Sequence, residues 1–238
     1  MGWQAQKKGP GKDAGKGSLT LQEAIESALS SILQENVKLI SSGRTDSGAH
    51  ALEQTANFKT KSLIKLKKLR LGLNCLLPED IRIRIIRQAD NSFHSRFDAK
   101  TKVYQYRIIT GEFVPVFLRN YVHHVRTVLN VGLMRREAKT LLGRHDFKSF
   151  QAADKNKRSS IREVKRIIIR KSGKLIILEI EANGFLYNMV RNIAGTLIEI
   201  GRGRFSEGSM RKILSAKNRG CAGRTAPAKG LFLVKVKY

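Results

Sequence analysis

REVKRIIIR at residues 162–170 and KLIILEIEA at residues 174–182 flank Ser172-Gly173. Both runs are β-branched and aliphatic, and Ser-Gly between them is a short-turn signal, so they read as an antiparallel hairpin. Working outward, FLYNMVRNIAGTLIEIG (185–201) puts Phe185, Met189, Ile193, Leu197 and Ile200 on one helical face and closes at Gly201. GSMRKILSAK (208–217) is a further helix and GLFLVKVKY (230–238) a last strand. On the other side, RREAKTLLG (135–143) ends a helix with Gly143 as its C-cap. KTKVYQYRIIT (100–110) is a strand with Tyr104, Tyr106 and Ile108 on one face.

The first part of the chain repeats the theme. Thr20-x-x-Glu23 has capping-box spacing, with Ser18 as the alternative cap, ahead of a helix whose apolar face includes Leu21, Ile25, Leu29 and Leu33. VKLI (37–40), ALEQTANF (51–58) and DIRIRIIR (80–87) read as strands, the last with Ile81, Ile83 and Ile85 on one face. SLIKLKKLRLGLNCLL (62–77) is a basic amphipathic helix. Strands arrive mostly as neighbours with helices interspersed. The fold class is therefore α+β: two related halves, residues 1–112 and 113–238, with mainly antiparallel sheets flanked by helices.

Charge narrows the partner. The 238 residues hold 46 Lys and Arg against 19 Asp and Glu, a net charge of +27. Such a surface repels itself in isolation and attracts phosphate backbones at long range, so nucleic acid is the expected partner. No apolar run is long enough to span a bilayer. Two unpatterned cysteines, Cys75 and Cys221, fit a reducing cytoplasm and no metal site. The five histidines have no metal-ligand spacing, and no glycine-rich nucleotide motif is present, so no cofactor is expected.

SGRTDSGAH (42–50) sets a single carboxylate, Asp46, among turn-forming residues. By local composition Asp46 is better explained by a turn than by chemistry. Tyr104 and Tyr106 are either sheet packing or a platform on which a base stacks. Arg191 lies in a helix that is otherwise apolar on one side; if buried it requires a carboxylate, and Asp46 is a suitable one. Such a pairing would lower the pKa of the acid and keep it ionised at neutral pH.

Five segments together resemble one family, the TruA-type tRNA pseudouridine synthases. SGRTDSGAHALEQTANF is similar to its catalytic loop, FHSRFDAKTKVYQYRI to its F-(H/D)-A-R-F…K-x-Y-x-Y block, and LLGRHDFKSF to its L-x-G-x-H-D-F-x-x-F. GFLYNMVRNIAGTLIEIG and TAPAKGLFLVKVKY resemble its two closing blocks. The resemblance implies a pseudouridine synthase fold with a central RNA-binding cleft, and isomerisation of uridine to pseudouridine at positions 38, 39 and 40 of the tRNA anticodon stem-loop. It implies a cytoplasmic homodimer without cofactor or metal. Carried over by motif, Asp46 is catalytic, Arg44 and Arg191 support it, and Tyr104, Leu231 and Arg96 bind substrate. Family members usually begin with a strand and a YDG turn before GWQ, whereas this chain starts at MGWQ, so the first strand is expected to be missing. A catalytically impaired tRNA- or rRNA-binding protein is the competing expectation.

Overall fold

The computed structural model describes residues 2–3, 20–153 and 159–238. Ser18 and the Lys-rich stretch at 5–18, with the RNA contacts expected of Lys7, Lys8, Lys12 and Lys16, lie outside the described residues. Along the chain the elements run α1 (Leu21–Leu33), β1 (Ile40–Ser41), β2 (His50–Ala51), β3 (Ala56–Asn57), α2 (Leu66–Leu76), β4 (Thr101–Thr110), β5 (His123–Val125), α3 (Val131–Lys139), β6 (Gly143–Asp146), β7 (Ile161–Ser172), β8 (Leu175–Ala182), α4 (Met189–Gly201), α5 (Ser209–Ala216) and β9 (Leu231–Lys237).

Contacts group the described residues into two compact units. The first is drawn from Met1–Gly48 and Gln54–Asp98, the second from Ala49–Glu53 and Ala99–Tyr238. The sequence reading divides the halves after residue 112. The contacts instead place β4 with the strands that follow it, because β4 pairs with β8 and β9.

In the first unit α1 starts at a capping box: Thr20 Oγ1 accepts from Glu23 N at 3.2 Å and Thr20 N donates to Glu23 Oε2 at 2.8 Å. This satisfies two of the donors that a helix N-terminus leaves open. Ala24, Ile25, Ala28, Leu29 and Leu33 are buried against Leu69 and Leu73 of α2. The sheet of this unit is small, β1 antiparallel to β3. The run 80–87 forms no ladder among the described residues. Ile81, Ile83 and Ile86 pack on the core while Ile85 is 62% exposed, so the period-two face expected there is not kept. The reason is local: the Asn74 side chain takes both backbone groups of Ile83, accepting from its N–H at 2.8 Å and donating to its carbonyl at 3.0 Å.

The second unit is built on a seven-stranded sheet in the order β2-β9-β4-β8-β7-β6, with β5 on β4. Only β2–β9 and β4–β5 are parallel. The 162–182 hairpin is β7 and β8, as expected, turning at Gly173 with φ 56°. Tyr106 and Ile108 of β4, Ile176, Leu178 and Ile180 of β8, and Met189, Ile193 and Leu197 of α4 form one buried core, shared with α3 and α5. On the opposite face of the sheet, Glu181 accepts from Lys237 Nζ at 2.6 Å and Thr101 Oγ1 at 2.8 Å, and Glu179 accepts from Gln105 Nε2 at 2.9 Å and from Arg166. The Lys237 ammonium bonded to it holds Glu181 below the usual carboxylate range. α3 stops earlier than its sequence pattern suggests. Thr140 caps it, and Gly143, at φ 93°, opens β6 instead of closing a helix.

His123 on β5 gives this unit an acid-sensitive element. Burial, then the charges of Arg202, Lys229 and His124, push it down to about 4. The folded state therefore holds the neutral ring, while the unfolded chain takes a proton near the ordinary value of about 6.5. Stability from this group is complete above about pH 6.5 and is lost as pH falls toward about 4. The apparent Tm of the wild type is expected to fall more steeply over that window than the Tm of His123→Gln, measured by thermal melts in matched buffers. Parallel curves would contradict this.

Candidate active site

Asp46 belongs to the first unit, in a loop that leaves the end of β1. The loop is tied down at its start. Ser42 is buried, donates its N–H to Thr55 O at 2.8 Å, and places its hydroxyl on Gln54 Oε1 at 2.5 Å. The Gln54 amide then donates to Gly43 O at 2.7 Å. Thr45 O accepts from Trp3 N at 3.3 Å. Gly2 lies against the same stretch, where a Cβ would sit 3.1 Å from Ser47 N. Trp3 is buried in the core with α1, and Gly2 and Trp3 carbonyls accept from Leu21 and Gln22 at the start of that helix. Gly48, at φ 80°, turns the chain out of the loop. The result is a half-buried Asp46 with Arg44 exposed beside it in sequence.

Arg96 is held to the same unit by its neighbour. Ser95 is buried, donates its hydroxyl to Ile40 O on β1 at 2.6 Å, and donates its N–H to Asn57 Oδ1 on β3 at 2.9 Å. His94 N donates to Asp98 Oδ2 at 2.8 Å and closes the turn. Arg96 is exposed, its guanidinium carbon 5.8 Å from the Phe97 ring centre. Arg44, Asp46 and Arg96 thus all issue from the ends of one strand pair. Ser42, Gln54, Asn57 and Ser95, which hold them, were not singled out from sequence. The only signal was a set of small polar residues interrupting apolar runs.

Tyr104, Leu231 and Arg191 belong to the second unit. Tyr104 pairs in register with Ile180 on β8 and Leu233 on β9. It is half-buried, with its ring edge-on to Phe185 at 4.9 Å and 79°. Tyr106 on the same face has a different role. It is fully buried, its hydroxyl donates to Pro227 O at 2.7 Å, and burial drives its pKa up. Gly230 is needed beside it, since a Cβ there would lie 2.8 Å from Tyr106 Cζ and 2.9 Å from Arg107 O. Leu231, buried, follows directly and faces Tyr106 across β4 and β9.

Arg191 sits in the first turn of α4, half-buried. Its Nε donates to Ala226 O at 2.7 Å and its Nη1 to Asn188 Oδ1 at 3.0 Å, while Ala226 N donates back to Arg191 O at 3.2 Å. The loop carrying Ala226 is bolted to α4 by Asn192. That buried amide donates to Phe150 O at 2.8 Å and accepts from Thr225 Oγ1 at 2.6 Å and Arg219 Nη2 at 3.0 Å. Burying an amide this deep is tolerable because each of its polar atoms is bonded. The second unit therefore presents Tyr104 and Leu231 from the sheet and Arg191 from the helix that packs on it. Chemically, a half-exposed carboxylate on a fixed loop can serve as base or nucleophile, and a half-buried tyrosine beside an aliphatic wall suits the faces of a base.

Comparison with known proteins places this architecture. The family model for tRNA pseudouridine synthase matches residues 137–238. The tRNA pseudouridine synthase A of Thermoanaerobacter sp. (strain X514) is 44% identical over 237 residues, covering 100% of this chain and 93% of that protein. The protein of the same name from Bacillus licheniformis is 42% identical over 224 residues, covering 93% of this chain and 91% of its own length. That from Caldicellulosiruptor bescii is 42% identical over 238 residues, covering 100% and 94%. An RNA-modifying isomerase class is what these relatives have in common. The chain belongs to the tRNA pseudouridine synthase family.

Proposed function

We propose that this protein isomerises uridine to pseudouridine in tRNA, at positions 38, 39 and 40 of the anticodon stem-loop, with Asp46 as the catalytic carboxylate. The observation that carries the reading is the Asp46 loop: one carboxylate, half-exposed, in a loop whose backbone is clamped by Ser42, Gln54 and Trp3. The target uridine is drawn from the stack, at a cost of a few kcal/mol. Tyr104 lies against the freed base and Leu231 walls it. Arg191, held by Ala226 O and Asn188 Oδ1, is assigned a supporting role in the chemistry. Arg44 supports Asp46 from the same loop, and Arg96 contacts the substrate.

The carboxylate either attacks C1′ or removes the C2′ proton, and the N1–C1′ bond breaks. Uracil leaves as its anion and rotates; C5 bonds to C1′, displacing the carboxylate on the first route or with return of the C2′ proton on the second, and the C5 proton leaves to solvent while N1 takes one up. A glycosidase places a second carboxylate to direct water at the sugar. This reaction needs water kept out, which one acid and an aliphatic wall serve. The protein acts in the cytoplasm as a homodimer. Among the described residues no helix is long and apolar enough to cross a membrane, in keeping with a substrate that is free RNA.

The test is release of tritium from tRNA labelled at uridine C5. One tritium per pseudouridine formed is expected. Salt-dependent tRNA binding without release would instead make the protein a catalytically impaired binder.

A further inference from the structure

The first unit carries a second cationic feature, on elements other than those bearing Asp46 and Arg96. Residues 59–87 hold nine Lys and Arg against two acids, Glu79 and Asp80. α2 buries Leu69 and Leu73 and leaves Lys67, Lys68 and Leu71 exposed. On its flank, Arg70 Nη1 donates to Arg84 O at 3.0 Å and Arg82 Nη1 donates to Asn74 O at 3.0 Å. Together with the two Asn74–Ile83 bonds, these fix the 82–84 segment alongside the helix. Each guanidinium spends one nitrogen on a carbonyl and keeps the rest of its fork for another acceptor. Among the described residues Lys67, Lys68, Arg70 and Arg82 form no ion pair with a carboxylate. Lys67 and Lys68 also stand in the first turn of α2, where the helix dipole is positive and no acid offsets them. Folding alone does not favour cations at that end; a bound polyanion does.

We propose that this face, Lys67 and Lys68 outward with Arg70 and Arg82 on the flank, grips the sugar–phosphate backbone of the tRNA substrate. It rests on the reading of the protein as a tRNA-modifying enzyme and assigns a second place where that enzyme holds RNA. Anionic lipid is the rival ligand, since Leu63 and Leu71 are 98% and 52% exposed beside the lysines. RNA fits better because the arginine forks are pinned to backbone carbonyls. Fixed forks match the fixed phosphate spacing of a stem, which a fluid headgroup layer does not offer.

The experiment compares the full chain with Lys67→Gln/Lys68→Gln and, as a charge-matched control, Lys171→Gln/Lys174→Gln at the β7–β8 turn. tRNA affinity is measured across a salt series, with tritium release and thermal melts alongside. Losing two phosphate contacts is expected to weaken binding about 10-fold near 0.1 M salt and to reduce the log–log salt slope by about 1.5. KM rises, kcat is unchanged, and the apparent Tm holds or increases, because charge has left the positive end of the helix. The control keeps wild-type affinity. Unchanged affinity and slope in the α2 variant overturn the proposal, as does an equal loss in the control. Loss of binding to phosphatidylserine vesicles with tRNA affinity intact overturns it in favour of lipid. Wild-type protein that shows this binding signature but releases no tritium leaves the surface standing and removes the catalytic reading instead.

Discussion

Asp46→Asn is expected to retain tRNA binding and to lose isomerisation by at least about 10³-fold, in the upper part of the range that positioned acid–base groups contribute. The substitution is isosteric, and the loop keeps its clamps: the Ser42 hydroxyl on Gln54, the Gln54 amide on Gly43 O, and Trp3 N on Thr45 O. None of these uses the Asp46 side chain. An amide can neither take the C2′ proton nor attack C1′, so both routes to glycosidic cleavage close together. Single-turnover tritium release with enzyme in excess reads the chemical step, and filter binding reads the affinity. Melting at the wild-type temperature would show that the loop is still formed. Turnover within a few-fold of wild type would remove Asp46 from the chemistry and return it to the role of a turn residue.

The loop also shows what the sequence could and could not display. The 162–182 hairpin and the strand at 100–110 were legible because burial on one sheet face enforces a period of two, and because a Ser-Gly turn allows only one pairing. The run at 80–87 has the same alternation yet makes no ladder among the described residues. Its middle residue finds its hydrogen bonds on the Asn74 side chain, a partner nine positions away that no periodicity reports. Gly143 looked like a helix stop, but positive φ serves equally at the start of β6.

The candidate site divides in the same way. Asp46, Arg44, Arg96, Tyr104, Arg191 and Leu231 stand in motifs and could be named. Their supports could not. Ser95 reaches Ile40 across 55 positions, and Thr225 and Arg219 reach Asn192 across 33 and 27. Polar residues that meet only after folding leave no spacing to read. In α4 the Asn192 side chain interrupts an apolar face, and that interruption is the sole trace of the network it organises.

Gly195→Ala is expected to lower stability by about 3 kcal/mol or more, against the usual gain of about 1 kcal/mol for this exchange inside a helix. A Cβ at Gly195 would fall onto the carbonyl oxygen of Arg224, with Arg224 C at 3.0 Å and Ala226 N at 3.4 Å. The contact is reciprocal, since a Cβ at Gly223 would lie 2.8 Å from Thr196 Cα. Helix and loop therefore meet backbone to backbone at two glycines, and neither atom in the way is the end of a flexible side chain. The molecule can absorb the methyl only by lifting residues 222–226 off α4. That breaks the bond from Gly223 N to Thr196 Oγ1, strains the Arg219 and Thr225 bonds to Asn192, and withdraws the Ala226 carbonyl from Arg191. For a chain of this length the apparent Tm should fall by roughly 6–12 °C. Tritium release should fall as well at temperatures where the variant is folded, because Arg191 has lost its anchor on Ala226 O. Gly72→Ala is the contrast: its Cβ would meet only the side chain of Ile32, at 3.1 Å, which can yield, so the change in Tm should be small. A Gly195→Ala protein with wild-type Tm and wild-type turnover would show that the loop does not depend on this close approach, and that Arg191 is not positioned through it.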